Sequence, residues 1–211
     1  MQRTIFMLGI ITLALLWVGP LPDLARSSFA AHMALHMGIV AVVAPLISLG
    51  IAATKFDPVR RAPNWFPPIP LSILELIAVW VWHAPVLHHS ARYTTVGFVA
   101  EQATFLGAGL LVWLSALGGD RTRRDERTGA GVAALLLTSM HMTLLGALVA
   151  LTPRALYVHA AHGAGNALNA LDDQHLGGAI MIVVGGVAYL AGGLGLTARL
   201  VRRKLVKEAR A

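Results

Sequence analysis

The sequence predicts an all-α, integral membrane helix bundle, and composition, hydropathy and the placement of charge all point to it. Of 211 residues, 56% are apolar and only 13% charged, where soluble domains carry about 25% charged residues. The mean hydropathy is +0.68, and the charges gather between long apolar runs. The absence of cysteine excludes a disulfide framework, a thiolate zinc site, an iron–sulfur cluster and a cysteine nucleophile. A net charge of +7 would suit nucleic acid, but the basic segments lack interleaved aromatics, so no nucleic-acid partner is expected.

Six apolar stretches make one transmembrane domain of residues 1–211, with spans at 4–18, 29–53, 69–83, 96–117, 131–151 and 175–200. Crossing a hydrocarbon core of about 30 Å takes roughly 20 residues. The first stretch is short and follows Met1-Gln2-Arg3, which also fits a signal sequence; no A-x-A site follows, so a retained span is expected. In the second, Pro45 should kink or locally open the helix. Pro58, Pro63, Pro67, Pro68 and Pro70 stiffen the loop that leads to the third. That third stretch is short and carries Glu75, which reads as a helix-packing or lipid-interface residue, while Trp65, Trp80 and Trp82 look like interfacial anchors. The sixth carries Gly178-Ala179, Gly185-Gly186 and Gly192-Gly193, small pairs seven apart that predict a close-packing seam.

Orientation follows from the positive-inside rule. One side collects Arg3; Lys55, Arg60 and Arg61; Arg121, Arg123, Arg124 and Arg127; and the tail from Arg199 to Arg210. The other holds only Arg26, Arg92 and Arg154. Both termini are therefore expected in the cytoplasm.

None of the nine histidines falls in a cytoplasmic loop on this map. His32 and His36 lie in the first two turns of the second span, His83 closes the third, and His88 and His89 follow it. His159 and His162 lie in the next outer loop, His175 opens the sixth span, and His141 sits near mid-depth in the fifth. His32 and His36 are i and i+4, so their imidazoles share a helical face. Met33 and Met37 form a second such pair about 100° round the helix. Imidazole with thioether suits Cu(I) and needs no thiolate. Met140-His141-Met142 repeats the combination on another span. A membrane methionine is also ordinary packing, whereas an intramembrane histidine pair defaults to function.

Glu101, with Gln102, is placed at the depth of His32, His36 and His83. Its carboxylate would orient a histidine, bind a metal directly or be solvated by headgroup water. Asp172 or Asp173 would cap the last span, and the second carboxylate beside His175 could close a metal site. No Walker loop, G-x-S-x-G elbow or H-E-x-x-H motif occurs.

Several segments carry a resemblance, in order: His32-Met33-Ala34-Leu35-His36-Met37, Ala44-Pro45-Leu46, Trp82-His83-Ala84-Pro85 and Glu101-Gln102-Ala103-Thr104-Phe105-Leu106. They continue with Leu145-Gly146-Ala147-Leu148, Pro153-Arg154-Ala155-Leu156-Tyr157 and Asp173-Gln174-His175-Leu176-Gly177-Gly178. On these the chain resembles the multi-span cytochrome c oxidase assembly factors of the CtaG type. The resemblance implies a role in maturing a haem–copper oxidase in a bacterial inner membrane, with copper supplied to the binuclear centre from the outer side. It departs from the pattern at Gln102, where a histidine is expected after the glutamate, and at His175, where a glutamine is usual. The single-span copper chaperone that shares the label relies on cysteine thiolates, so this chain is not that protein.

The reading is thus a non-enzyme that holds Cu(I) near its outer face. His32 and His36 would bind the ion, His83 or a methionine would complete the coordination, and Glu101 would orient a ligand, with Met33, Met37, His141, Asp173 and His175 as further candidates. A periplasmic copper donor would load it, and the oxidase subunit with the haem–copper centre would receive the ion. Two alternatives stand beside it: a haem-b electron carrier with axial histidines, and a metal-free scaffold for oxidase subunits.

Overall fold

The computed structural model describes residues 1–119, 124–157 and 168–209. It is 85% helical, with no strand among the described residues. The helices are α1 (Gln2–Val18), α2 (Leu21–Ser27), α3 (Phe29–Met37), α4 (Ala44–Ile51), α5 (Pro58–Arg61), α6 (Pro68–Trp82), α7 (Pro85–Tyr93), α8 (Thr95–Leu117), α9 (Arg124–Ala150), α10 (Ala170–Ile180) and α11 (Gly186–Glu208). Wide π-helical turns at Gly38–Val43 and Met181–Gly185 join α3 to α4 and α10 to α11. Five rods are long and apolar enough to cross a membrane, and α1 with α2, bent by 49°, would make a sixth.

Two segments differ from the sequence expectation. The last rod starts at Ala170, because the Asn169 side chain accepts from Leu171 and Asp172 N–H and caps the helix there. It runs 39 residues, roughly 58 Å at 1.5 Å per residue, so its basic turns extend past any bilayer core. The segment after His83 is a helix, α7, instead of a plain loop. Pro85 at its first turn presets the backbone, and His88, Ala91 and Arg92 form its buried face.

The rod of α3, π-turn and α4 is the core of the bundle. Phe29, Met33, Leu35, Ile39, Val40 and Val43 are fully buried in it. The π-turn has a local cause. Ala44 N–H bonds back to Ile39 O, and the next residue, Pro45, has no N–H, so the Val40 carbonyl loses its helical partner. Trp113 Nε1 of α8 (3.1 Å) and Tyr189 Oη of α11 (3.3 Å) reach it from neighbouring rods. Pro45 thus opens the helix where the sequence places it.

The small pairs of the last rod serve two interfaces at once. A side chain on Gly178 would strike Ala150 N and Gly146 O of α9, both at 2.7 Å, while one on Gly177 would strike the Phe29 ring of α3. Similarly, Gly193 faces Leu136 of α9, and Gly192 faces Trp113. The seam is double, because adjacent residues diverge by about 100°.

Glu75 is not at the lipid interface. It is fully buried, accepting from Tyr189 Oη (2.5 Å) and Thr138 Oγ1 (3.3 Å), with Ser72 Oγ 2.9 Å from Thr138. At the end of the bundle that carries the proline-rich loop, buried Asp57 accepts from Ala53, Val59 and Gly119 N–H, each at 2.9 Å. Arg127 donates to Pro63 O and Phe66 O of that loop.

Candidate metal centre

At the opposite end, four histidines, a glutamate and an arginine meet inside the bundle. His32 and His36 stand one turn apart on α3 with nearly parallel rings, 6.5 Å between centroids and 12° between planes. His83 follows α6, and its ring lies 5.6 Å from that of His36. His88, on α7, meets His32 edge-on at 5.0 Å and 82°. Glu101 of α8 points Oε1 at His32 Nε2, 3.5 Å away. Phe105, one turn further along α8, packs against His36 at 3.8 Å.

All of these groups are buried. A buried imidazole nitrogen without a partner is costly, yet among the described residues both nitrogens of His36 and Nε2 of His83 find no hydrogen-bond partner. His83 Nδ1 is tied to Val79 O at 2.6 Å, which fixes the ring and leaves Nε2 facing inward. One nitrogen each of His32 and His88 and an oxygen of Glu101 lie within 4.8 Å of one another.

The surrounding residues hold this arrangement. Gln102 Nε2 donates to Glu101 Oε2 at 3.0 Å, and Arg92 Nη2 stands 3.9 Å from the same oxygen. Arg92 Nη1 also donates to Ala25 O. Burial lowers the Arg92 pKa to about 10, with Glu101 opposing the shift, so the guanidinium remains charged at neutral pH. Tyr157 stacks on Phe29 at 4.3 Å and 15° and donates its hydroxyl to His83 O at 2.7 Å. Burial pushes that phenol up to about 12, so it stays a neutral donor.

A family model described as the cytochrome c oxidase caa3 assembly factor matches residues 1–203. The chain belongs to that family. Neither a search of curated proteins nor one of solved structures finds a match.

The assembly factor's structure brings together His32, His36, His83 and Glu101 and separates the other candidates. Met33 and Met37 face the other way: Met33 packs at Gly177, and Met37 Sδ lies by Gly185. Both thioethers sit among core residues of the last rod, as the spacing of consecutive helical residues requires. His141 is buried on α9 with both nitrogens unpartnered, but makes none of the ring contacts that tie the other four. His175 is half-exposed and bonds Thr152 O at 3.1 Å, so it does not fill the position that Gln102 leaves without an imidazole. His159 and His162 lie outside the described residues.

Asp173 neither caps its own helix nor faces the cluster. It accepts from Phe29 N (2.6 Å), Ala30 N (3.2 Å) and Ser28 Oγ (2.7 Å), so it caps α3, the helix of His32 and His36. Ser28 Oγ in turn accepts from Ala31 N. The free N–H groups of a helix start and its dipole both favour an anion there.

Sequence reasoning missed His88, Arg92 and Tyr157 as members of the site. His88 and Arg92 carried a signal, an i,i+4 spacing that puts both on one face of any helix. Tyr157 carried none.

Proposed function

We propose that this assembly factor holds Cu(I) in the histidine cluster and passes it to the haem–copper centre of its client oxidase. The observation that carries the reading is the convergence of His32, His88 and Glu101 within 4.8 Å, beside unpartnered nitrogens of His36 and His83. Ligands on opposite sides of one ion stand about 4 Å apart for metal–nitrogen bonds of 2.0–2.1 Å, so small side-chain rotations close the set. Imidazole is a borderline donor that binds copper and exchanges it more readily than a thiolate cage, which delivery requires. His36 and His83 provide a second station one turn along α3. No group of the cluster needs to make or break a covalent bond of a substrate, and the role is that of a carrier and not of an enzyme.

A bare ion fits the space better than haem. The cavity that reaches His88 and Arg92, between α7 and Tyr157, has a volume of only about 50 Å³, and Phe105 covers the His36 ring. The positive-inside pattern supports a position of the cluster at the periplasmic face of a bacterial inner membrane, where a copper donor would load it. A reporter fused after Ala211 should therefore be active in the cytoplasm, and access to that tail from outside intact cells would reverse the orientation.

The test is metal content and affinity. Detergent-purified wild type should retain Cu(I) against a competing chelator, and the His32→Ala/His36→Ala double variant should lose it. Removing a group that only orients a ligand typically weakens a metal site about 10–100-fold, so loss of two ligands should exceed that range. Equal Cu(I) affinity in wild type and double variant would refute the reading. Full oxidase assembly with the double variant would favour the scaffold.

A further inference from the structure

The cluster contains a feature that a cation site would not be expected to keep, a buried guanidinium. Arg92 is 2% exposed, its Nη2 is 3.9 Å from Glu101 Oε2, and Nε has no hydrogen bond. Anchoring α7 explains the Nη1 bond to Ala25 O but not a full positive charge turned towards four imidazoles. We propose that Arg92 is a specificity-determining residue, which cancels the charge of Glu101 and so makes the dry site accept a monovalent cation and reject divalent ones. This rests on the copper reading of the same cluster.

With neutral imidazoles, Glu101 and Arg92 sum to zero. The other charges nearby are screened or engaged: Arg26, which also acts on Arg92, is exposed to solvent and lies over the Phe98 ring, and Asp173 is taken up by the start of α3. A monovalent ion therefore leaves the cavity at one net charge and a divalent ion at two. The cost of a net charge in a low-dielectric interior grows with its square. A glutamate without its arginine would reverse that preference, since hard carboxylate and imidazole together suit Zn(II).

Repulsion from Arg92 scales with the charge of the ion, so its removal has a distinctive signature. At roughly 6 Å and an effective dielectric constant of about 20, one unit charge changes the affinity of a monovalent ion about 100-fold and of a divalent ion about 10⁴-fold. The experiment titrates Cu(I) and, separately, Zn(II) into purified wild type, Arg92→Gln and Arg92→Lys, each against a chelator of known strength. Arg92→Lys keeps the charge and should bind both ions within a few-fold of wild type. Arg92→Gln should gain affinity for both, with the logarithm of the Zn(II) gain about twice that of Cu(I). Equal gains for the two ions, no gain for Zn(II), or the same gain in Arg92→Lys would overturn the proposal. Wild type that takes no Cu(I) would refute the copper reading by itself, while the Zn(II) arm still decides the role of Arg92.

Discussion

Replacing Asp173 with alanine should destabilise the protein with no metal present, because this carboxylate is the cap of a helix 145 residues earlier in the chain. It accepts from two backbone N–H groups and one hydroxyl, all buried or partly buried. A hydrogen bond to a charged group contributes about 1.5–3 kcal/mol, and orphaned buried donors add a penalty. Because the three bonds share one carboxylate, about 3–5 kcal/mol is the expected loss. For a chain of this size about 1 kcal/mol moves the melting midpoint 2–4 °C, so Asp173→Ala should melt roughly 6–20 °C lower. Ser28→Ala removes one capping oxygen, worth about 1 kcal/mol, and should move the midpoint about 2–4 °C. The double variant should fall short of the sum, since Ser28 Oγ donates to Asp173 itself. The measurement is thermal unfolding in detergent with chelator present throughout. An Asp173→Ala midpoint equal to wild type would refute the capping account. A loss that appeared only in the metal-loaded protein would make Asp173 a ligand instead.

Two further outcomes follow from packing and charge. Gly178→Leu should destabilise by about 1–3 kcal/mol or more, since its side chain would meet Ala150 N and Gly146 O, whereas Gly195→Leu, with nothing within 4 Å, should be neutral; equal melting midpoints would contradict the seam. Metal affinity should fall in acid, where protons compete with the ion for neutral imidazole. It should not change between about pH 8 and 9 through Arg92 or Tyr157, whose pKa values of about 10 and about 12 keep both groups in one charge state. A titration step there would contradict the assignment of a fixed guanidinium.

The rods were legible in the sequence because crossing a bilayer demands length and apolarity, which any window of residues displays. His32 and His36 were legible for a related reason: their relation is local, fixed by one helical turn. Glu101 was placed beside them by depth alone, since a transmembrane rod converts position in the chain into height. Depth does not give azimuth, and that is where the reading of Met33 and Met37 parts from the structure. His88 and Arg92 required knowing that α7 folds back over the cluster. Asp173 required knowing which helix start it meets, a choice that two acidic neighbours and a nearby histidine do not encode. Asn169, six residues before the expected start of the last span, settles the cap locally and releases Asp173 for this longer reach.

The π-turn beneath the histidines bears on the order in which the molecule is made. In lipid there is no water to satisfy the Val40 carbonyl, and the groups that reach it, Trp113 Nε1 and the Tyr189 hydroxyl that Glu75 shares, belong to α8 and α11, synthesised after it. As each rod enters the membrane separately and associates afterwards, the second span emerges before those donors exist. It must wait in a different hydrogen-bonding state, or with its carbonyl bare, until Trp113 and then Tyr189 arrive. The opening at Pro45 is local, but the partners of the carbonyl it frees come only with association. The cap of the histidine-bearing helix is completed only when the last rod docks, bringing Asp173 with it. A truncated chain ending before Ala170 would carry His32, His36, His83, His88 and Glu101 and still lack the Asp173 cap and Tyr189.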